Sequence, residues 1–264
     1  MTVAGQGRAG PVPTGSGAVL TGQVALVTGA SQGIGAAVAD LLAEAGADIV
    51  LNHAPGEAEA AGRMAAGIRG RGRQCLVVEA DVAGRGAVTD MVGRAVRAFG
   101  RIDVAVNNAG ISPEASLGDT SDELWDRVHA VNLKGQFLVC QAVAGPMAAA
   151  GYGRIVNIAS EQGLIGAPRM AAYCASKAGV FGLTKALARE LAPAGILVNC
   201  VAPGPVDTAM LAEADRLPEM ARRIPLGRIG TPAEIAFAVL FLASPGSSWT
   251  TGQILSPNGG IVMA

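Results

Sequence analysis

Along most of the chain, short uninterrupted apolar runs alternate with longer segments whose apolar residues recur every three or four positions. The short runs fall at residues 24–27 (VALV), 49–51 (IVL), 76–78 (LVV), 104–106 (VAV), 155–158 (IVNI), 196–198 (ILV) and 253–255 (QIL). Their length and β-branched content predict strands. Between them, residues 35–45 place Val38, Leu41, Leu42 and Ala45 at helical spacing. Residues 57–69, a stretch ending near Phe99 and Gly100, and residues 171–191 follow the same period. Strands without polar alternation are buried on both faces, and the interleaved helices are what cover them. The expectation is an α/β chain: one doubly wound parallel sheet of about seven strands with helices on both faces. No repeat or linker divides residues 23–264, so a single domain is expected there. Residues 1–22 are rich in Gly, Pro and Thr, with no basic start and no apolar run, and read as a flexible tail, not a signal peptide.

Composition removes several function classes. Half of the 264 residues are hydrophobic and only 16% are charged, which permits a large core and excludes disorder for the body. Twenty basic against 21 acidic side chains leave no electrostatic footprint for nucleic acid. A mean hydropathy of +0.40 raises the question of a membrane span. The most apolar run, residues 235–243, falls well short of the roughly 20 residues a bilayer demands. The uncharged stretch 135–153 is broken by Gln136, Gln141 and Pro146. A soluble, cytoplasmic protein with no membrane partner is expected. Cys75, Cys140, Cys174 and Cys200 form no C-x-x-C pair, and His53 and His129 are the only histidines, so no metal site is expected. The thiols read as small buried hydrophobes.

The first strand runs straight into Thr28-Gly29-Ala30-Ser31-Gln32-Gly33-Ile34-Gly35 and then a helix. In such a place Gly29 permits a sharp turn, Gly33 lets a pyrophosphate approach the backbone, and Gly35 allows close helix–sheet packing. Free N–H groups and the helix dipole then face the anion. The spacing G-x-x-x-G-x-G is neither the common G-x-G-x-x-G fingerprint nor a Walker A loop, which needs Gly-Lys-Ser/Thr. Strand before and helix after support a nucleotide.

Tyr173 and Lys177 stand four apart in the strongest helical pattern, and so on one face, a turn from each other. An ammonium near a phenol favours the phenolate, drawing a pKa that starts near 10 toward the working range. Tyr173 can then exchange a proton with a substrate oxygen. Lysine is scarce here, at Lys134, Lys177 and Lys185 only, which makes the pairing informative.

Thr28 to Gly35, Asn107-Asn108-Ala109-Gly110, Asn132, Ser160, Tyr173 and Lys177 together resemble the short-chain dehydrogenase/reductase family. Pro203-Gly204 and Asn258-Gly259-Gly260 extend the match, which spans everything after residue 22. The resemblance implies a Rossmann fold and hydride transfer between a nicotinamide and a ketone or secondary alcohol. It implies Tyr173 as general acid/base, Ser160 as the hydroxyl that orients the carbonyl, and Lys177 as the group that lowers the tyrosine pKa and binds the nicotinamide ribose. Asn132 is implied to hold a water in the proton relay. For the cofactor it implies Gly29, Ser31, Gln32, Gly33, Ile34 and Gly35 at the turn, His53 at the end of the second strand, and Asp81 and Val82 at the adenine. Asn108, Ala109 and Gly110 follow on the adenosine side, with Tyr173 and Lys177 at the ribose and Pro203, Gly204, Val206 and Thr208 over the nicotinamide.

An NAD enzyme usually offers a carboxylate to the adenosine ribose about 20 residues beyond the turn. Asn52 and His53 stand there instead, and their lack of negative charge favours NADP(H), with NAD possible. Gln32 stands where NADP users of the family often carry arginine. Residues 205–224, with Met210, Leu211, Leu217 and Met220, resemble the family's mobile substrate lid.

Overall the chain resembles 3-oxoacyl thioester reductases and their sugar- or alcohol-dehydrogenase cousins. Carrier-protein reductases dock an acidic carrier with basic residues, yet the segments 135–140 and 192–195 carry none. Glu161 and Gln162, beside Ser160, offer polar contacts to a hydroxylated substrate. The family also implies a homotetramer. A non-catalytic dinucleotide sensor is the alternative of another class; Ser160, Tyr173 and Lys177 together favour the enzyme.

Overall fold

The computed structural model of the chain describes residues 18–211 and 217–263. Most of the expected tail, residues 212–216 of the expected lid and the side chain of Leu217 lie outside the described residues. Seven strands form one sheet: β1 Val24–Val27, β2 Asp48–His53, β3 Cys75–Glu79, β4 Val104–Asn107, β5 Gly153–Ile158, β6 Ile196–Val201 and β7 Ile254–Leu255. Their order is β3-β2-β1-β4-β5-β6-β7, and every pair is parallel.

The helices are α1 Gly33–Glu44, α2 Ala58–Gly70, α3 Arg85–Phe99, α4 Asp122–His129, α5 Gly135–Ala150, α6 Gln162–Ile165, α7 Ala171–Leu191, α8 Leu217–Arg223 and α9 Pro232–Ala243. Alternation along each strand divides the core. In β1, Ala25 and Val27 join the cluster that holds Val38 and Leu42 of α1, Ile68 of α2 and Ile235 of α9. Val24 and Leu26 join the opposite cluster, with Met91 of α3, Leu138 of α5 and Ala188 of α7. The doubly wound parallel sheet expected from the apolar pattern is present, and with it the Rossmann fold that the resemblance implies.

The body begins earlier than the composition indicated. Leu20 is fully buried in the core and its amide donates to the Ala45 carbonyl at 2.8 Å, so residues 18–22 are a packed turn rather than part of a tail. Glycine, proline and threonine counts do not register one well-placed leucine.

The sheet grows outward from β1 in both directions, through β2 and β3 on one side and from β4 onward on the other. At that reversal the loops after β1 and β4 diverge, which opens a crevice beyond the carboxyl ends of the strands. No described helix is long and apolar enough to cross a membrane.

Candidate active site

The turn after β1 occupies one end of this crevice. Gly29 and Gly33 adopt left-handed φ of 60° and 57°. Gly35 is required for a different reason: a Cβ there would lie 2.1 Å from the Gly29 carbonyl oxygen and 2.4 Å from Asn108 Nδ2. Side chains from neighbouring strands hold the turn. Asn52 Oδ1 accepts from the Gly29 amide at 3.2 Å, and Asn108 Nδ2 donates to the Thr28 and Gly29 carbonyls at 3.0 and 2.9 Å. Thr28 Oγ1 accepts from the amides of Asn108 and Ala109 at 3.0 and 3.1 Å. The first N–H groups of α1 have no preceding carbonyl of their own helix and face the crevice.

A cleft of about 420 Å³ runs from this turn, past the ends of β3 and β4, to Ser160, Tyr173 and Lys177. Most of the expected site residues line it: Gly29 and Ser31 to Ile34 at one end, Asp81, Val82 and Asn108 to Gly110 along the wall, and Pro203, Gly204, Val206 and Thr208 opposite. Met210, Leu211 and Met220 of the expected lid line it too. Gly35 supports the turn from beneath and is buried.

His53 is a correction. Its side chain is buried, its Nδ1 lies 2.8 Å from the Ala54 carbonyl oxygen, and it does not line the cleft. Successive strand residues face opposite sides, and the side facing the turn falls to Asn52. A second position went unnoticed in the sequence. Glu57, just before α2, lines the cleft and accepts a 2.6 Å hydrogen bond from Ser31 Oγ. A carboxylate thus reaches the cleft beside the glycine turn from four residues beyond the strand. Arg127 of α4 also lines the cleft and pairs with Asp81 at 2.9 Å. Burial pushes the Asp81 carboxyl up, but the Ala83 amide and Arg127 more than offset it and hold it below the usual carboxylate range. Nothing in the sequence joined residues 81 and 127.

At the other end, Ser160 follows β5 and lines the cleft together with Tyr173. Lys177 is buried and its Nζ donates to the Ile158 carbonyl at 3.0 Å, while lying 5.7 Å from the centroid of the Tyr173 ring. The two side chains do share one face beside the cleft. The expected electrostatic effect is corrected, however. Burial raises the Tyr173 phenol above its ordinary value, Ser160 pulls it down in part, and Cys174 and Glu161 push it up. The lysine nitrogen is engaged with backbone and not with the phenol oxygen. Burial also lowers the Lys177 ammonium to about 8.

Asn132 lies on a π-helical turn, Ala130–Lys134, between α4 and α5. Such turns reorient a side chain within a helix and recur at functional sites. Asn132 stands behind the cleft wall instead of lining it. Oδ1 accepts from the Ile111 amide at 2.8 Å, and Nδ2 donates to the Ile111 carbonyl and to Ser176 Oγ at 2.9 and 3.2 Å. A Cβ on Gly110 would lie 3.3 Å from Asn132 Oδ1 and 3.5 Å from Lys177 Nζ, so these two groups flank that glycine.

The chain is similar to known proteins along nearly all of its length. A family model described as Enoyl-(Acyl carrier protein) reductase matches residues 29–262. The 3-oxoacyl-[acyl-carrier-protein] reductase of Thermotoga maritima is 44% identical over 250 residues, 92% of this chain and 99% of that protein. The (2S)-[(R)-hydroxy(phenyl)methyl]succinyl-CoA dehydrogenase subunit of Thauera aromatica is 45% identical, over 90% of this chain and 96% of that one. Among solved structures, a short-chain type dehydrogenase/reductase from Mycobacterium marinum superposes with a TM-score of 0.89 at 39% identity, over 94% of this chain and 98% of its own.

Proposed function

Because the chain belongs to the short-chain dehydrogenase/reductase family, we propose that its cleft reduces 3-oxoacyl thioesters or similar ketones, or oxidises the corresponding alcohols, with NADP(H). It is an oxidoreductase of the CH–OH/C=O class, similar to 3-oxoacyl thioester reductases. The observation that carries the reading is one cleft with a glycine cradle at one end and Ser160, Tyr173 and Lys177 at the other.

The residues present fit a dinucleotide. The cradle would be filled by a side chain at Gly35, and free helix amides there suit a pyrophosphate. Under this reading the turn, Asp81, Asn108 to Gly110, Lys177 and the segment from Pro203 to Thr208 hold the cofactor. When bound, a nicotinamide supplies a hydride to the carbonyl carbon. Tyr173 then gives its phenolic proton to the oxygen on which charge develops, and Ser160 donates to that same oxygen. These contacts strengthen as the oxygen becomes anionic, so they act mainly on the transition state. A phenol carries its proton near neutral pH, and burial raises Tyr173 further, which suits the reducing direction. Asn132 is a positioning residue, holding the loop at Ile111 and, through Ser176, the helix that carries Tyr173.

At the adenosine end, the absence of acid at Asn52 and His53 supports NADP(H), whereas Glu57 opposes the 2′-phosphate and limits the preference. A cytoplasmic homotetramer completes the proposal. Exposed Trp125 and Phe137 on α4 and α5, and Phe237 and Phe241 on α9, supply apolar faces for further copies of the chain. Four free thiols suit a reducing compartment.

Replacing Tyr173 by Phe tests the chemistry. Turnover of a 3-oxoacyl thioester should fall by roughly 10²–10⁴ while cofactor affinity holds. Turnover within a few-fold of wild type would remove Tyr173 from the mechanism.

A further inference from the structure

Glu161 follows Ser160 directly and stands at the substrate end of the cleft, yet the hydride-transfer chemistry makes no use of it. Only 5% of its surface is exposed. Its amide donates to the Pro203 carbonyl at 2.9 Å, which fixes the backbone on the cleft wall. Its side chain lines the cleft, and its Oε2 has no hydrogen-bond partner among the described residues. That oxygen faces Gly204, where an added Cβ would lie 3.0 Å away. Gln162, the next residue, also lines the cleft and leaves its Oε1 buried and unpartnered. Ser160 Oγ is tied locally, accepting from the Gln162 amide at 3.2 Å. Two orphaned acceptors therefore belong to the two cleft-lining residues that follow Ser160.

Buried acceptors without donors are costly, and a site that keeps them discriminates for ligands that supply the donor. No described cation pairs with Glu161: Lys177 is engaged with the Ile158 carbonyl and Arg127 with Asp81. We propose that Glu161, with Gln162, selects carbonyl substrates bearing a hydroxyl on the carbon next to the reacting one, over equally sized plain-chain ketones. The inference rests on the reductase reading for the position of the carbonyl at Ser160 and Tyr173, and it deepens that reading by naming what the neighbouring carbon carries.

A hydroxyl suits this carboxyl better than an ammonium would. Burial raises the Glu161 carboxyl to about 7, so both forms are present near neutrality. A hydroxyl donates to the carboxylate and accepts from the acid, whereas an ammonium can only donate.

The test uses pairs in which a methyl replaces the hydroxyl: 1-hydroxybutan-2-one against pentan-3-one for turnover, and butane-1,2-diol against pentan-3-ol for binding. Dissociation constants of the alcohols come from ligand-observed NMR without cofactor, and kcat/KM of the ketones from nicotinamide absorbance. Wild type should favour the hydroxylated member about tenfold in both readouts, the order expected for one added hydrogen bond to a buried acceptor. Glu161→Leu should abolish the preference, and Glu161→Gln, which keeps an acceptor oxygen, should retain most of it. No preference in wild type, or one unchanged in Glu161→Leu, overturns the inference; the wild-type pairs alone decide if the leucine variant does not fold. A binding preference lost in Glu161→Leu, without turnover of either ketone, would support the selecting role and count against the reductase reading instead.

Discussion

Replacing Gly35 by alanine adds one methyl group at the most crowded point of the cofactor cradle. The new Cβ would lie 2.1 Å from the Gly29 carbonyl oxygen, 2.4 Å from Asn108 Nδ2 and 2.9 Å from the Gly29 carbonyl carbon. Two of these are backbone atoms, and the third is fixed by two hydrogen bonds to that same backbone. An ordinary contact begins near 3.4 Å, so the turn must retreat from the helix by more than an ångström. Such overpacking costs about 1–3 kcal/mol, while alanine's better helix propensity returns up to about 1 kcal/mol. The net loss of about 0–3 kcal/mol lowers Tm by up to roughly 12 °C for a chain of this size. Cofactor affinity should fall by at least tenfold, because the amides proposed to hold the pyrophosphate move with the turn. Gly67 in α2 is the control. It is solvent-exposed and nothing lies within 4 Å of an added Cβ, so Gly67→Ala should stabilise by up to about 1 kcal/mol. Scanning fluorimetry and cofactor calorimetry on both variants read these quantities. A Gly35→Ala protein with wild-type Tm and wild-type cofactor affinity would refute the close-packing argument.

Two further perturbations address charge. Glu57→Gln removes the carboxylate that Ser31 holds at the proposed adenosine end, and should raise the NADPH-over-NADH ratio of kcat/KM by roughly tenfold, about 1.4 kcal/mol; an unchanged ratio would mean that Glu57 does not meet the ribose. The buried Glu161 carboxyl, raised from 4.5 to about 7, binds its proton more tightly folded than unfolded. It therefore contributes stability that is fully present below pH 4.5 and is lost as pH rises through 7, on the order of 3 kcal/mol in all. Denaturant titrations at pH 5 and pH 8 should show this loss in wild type and not in Glu161→Gln; parallel pH profiles would contradict it.

Elements whose signal is local were legible in the chain itself. The run at Val24–Val27 needs both faces buried, the glycine turn announces its own backbone, and Tyr173 and Lys177 share a helix face by spacing alone. Periodicity is a property of consecutive residues, and no folding is required to read it. Contacts between distant segments were not legible. Glu57 meets Ser31 because the sheet order sets β1 beside β2, and Arg127 meets Asp81, and Asn132 meets Ile111 and Ser176, only where distant helices and loops pack together. Protonation followed the same division. Spacing put an amine beside a phenol, but desolvation depends on everything packed around them, and it raises Tyr173 while Lys177 turns to the Ile158 carbonyl. One-dimensional order determines which groups can be neighbours along an element; burial and hydrogen-bond partners are summed over the whole fold, and only tertiary packing assigns them.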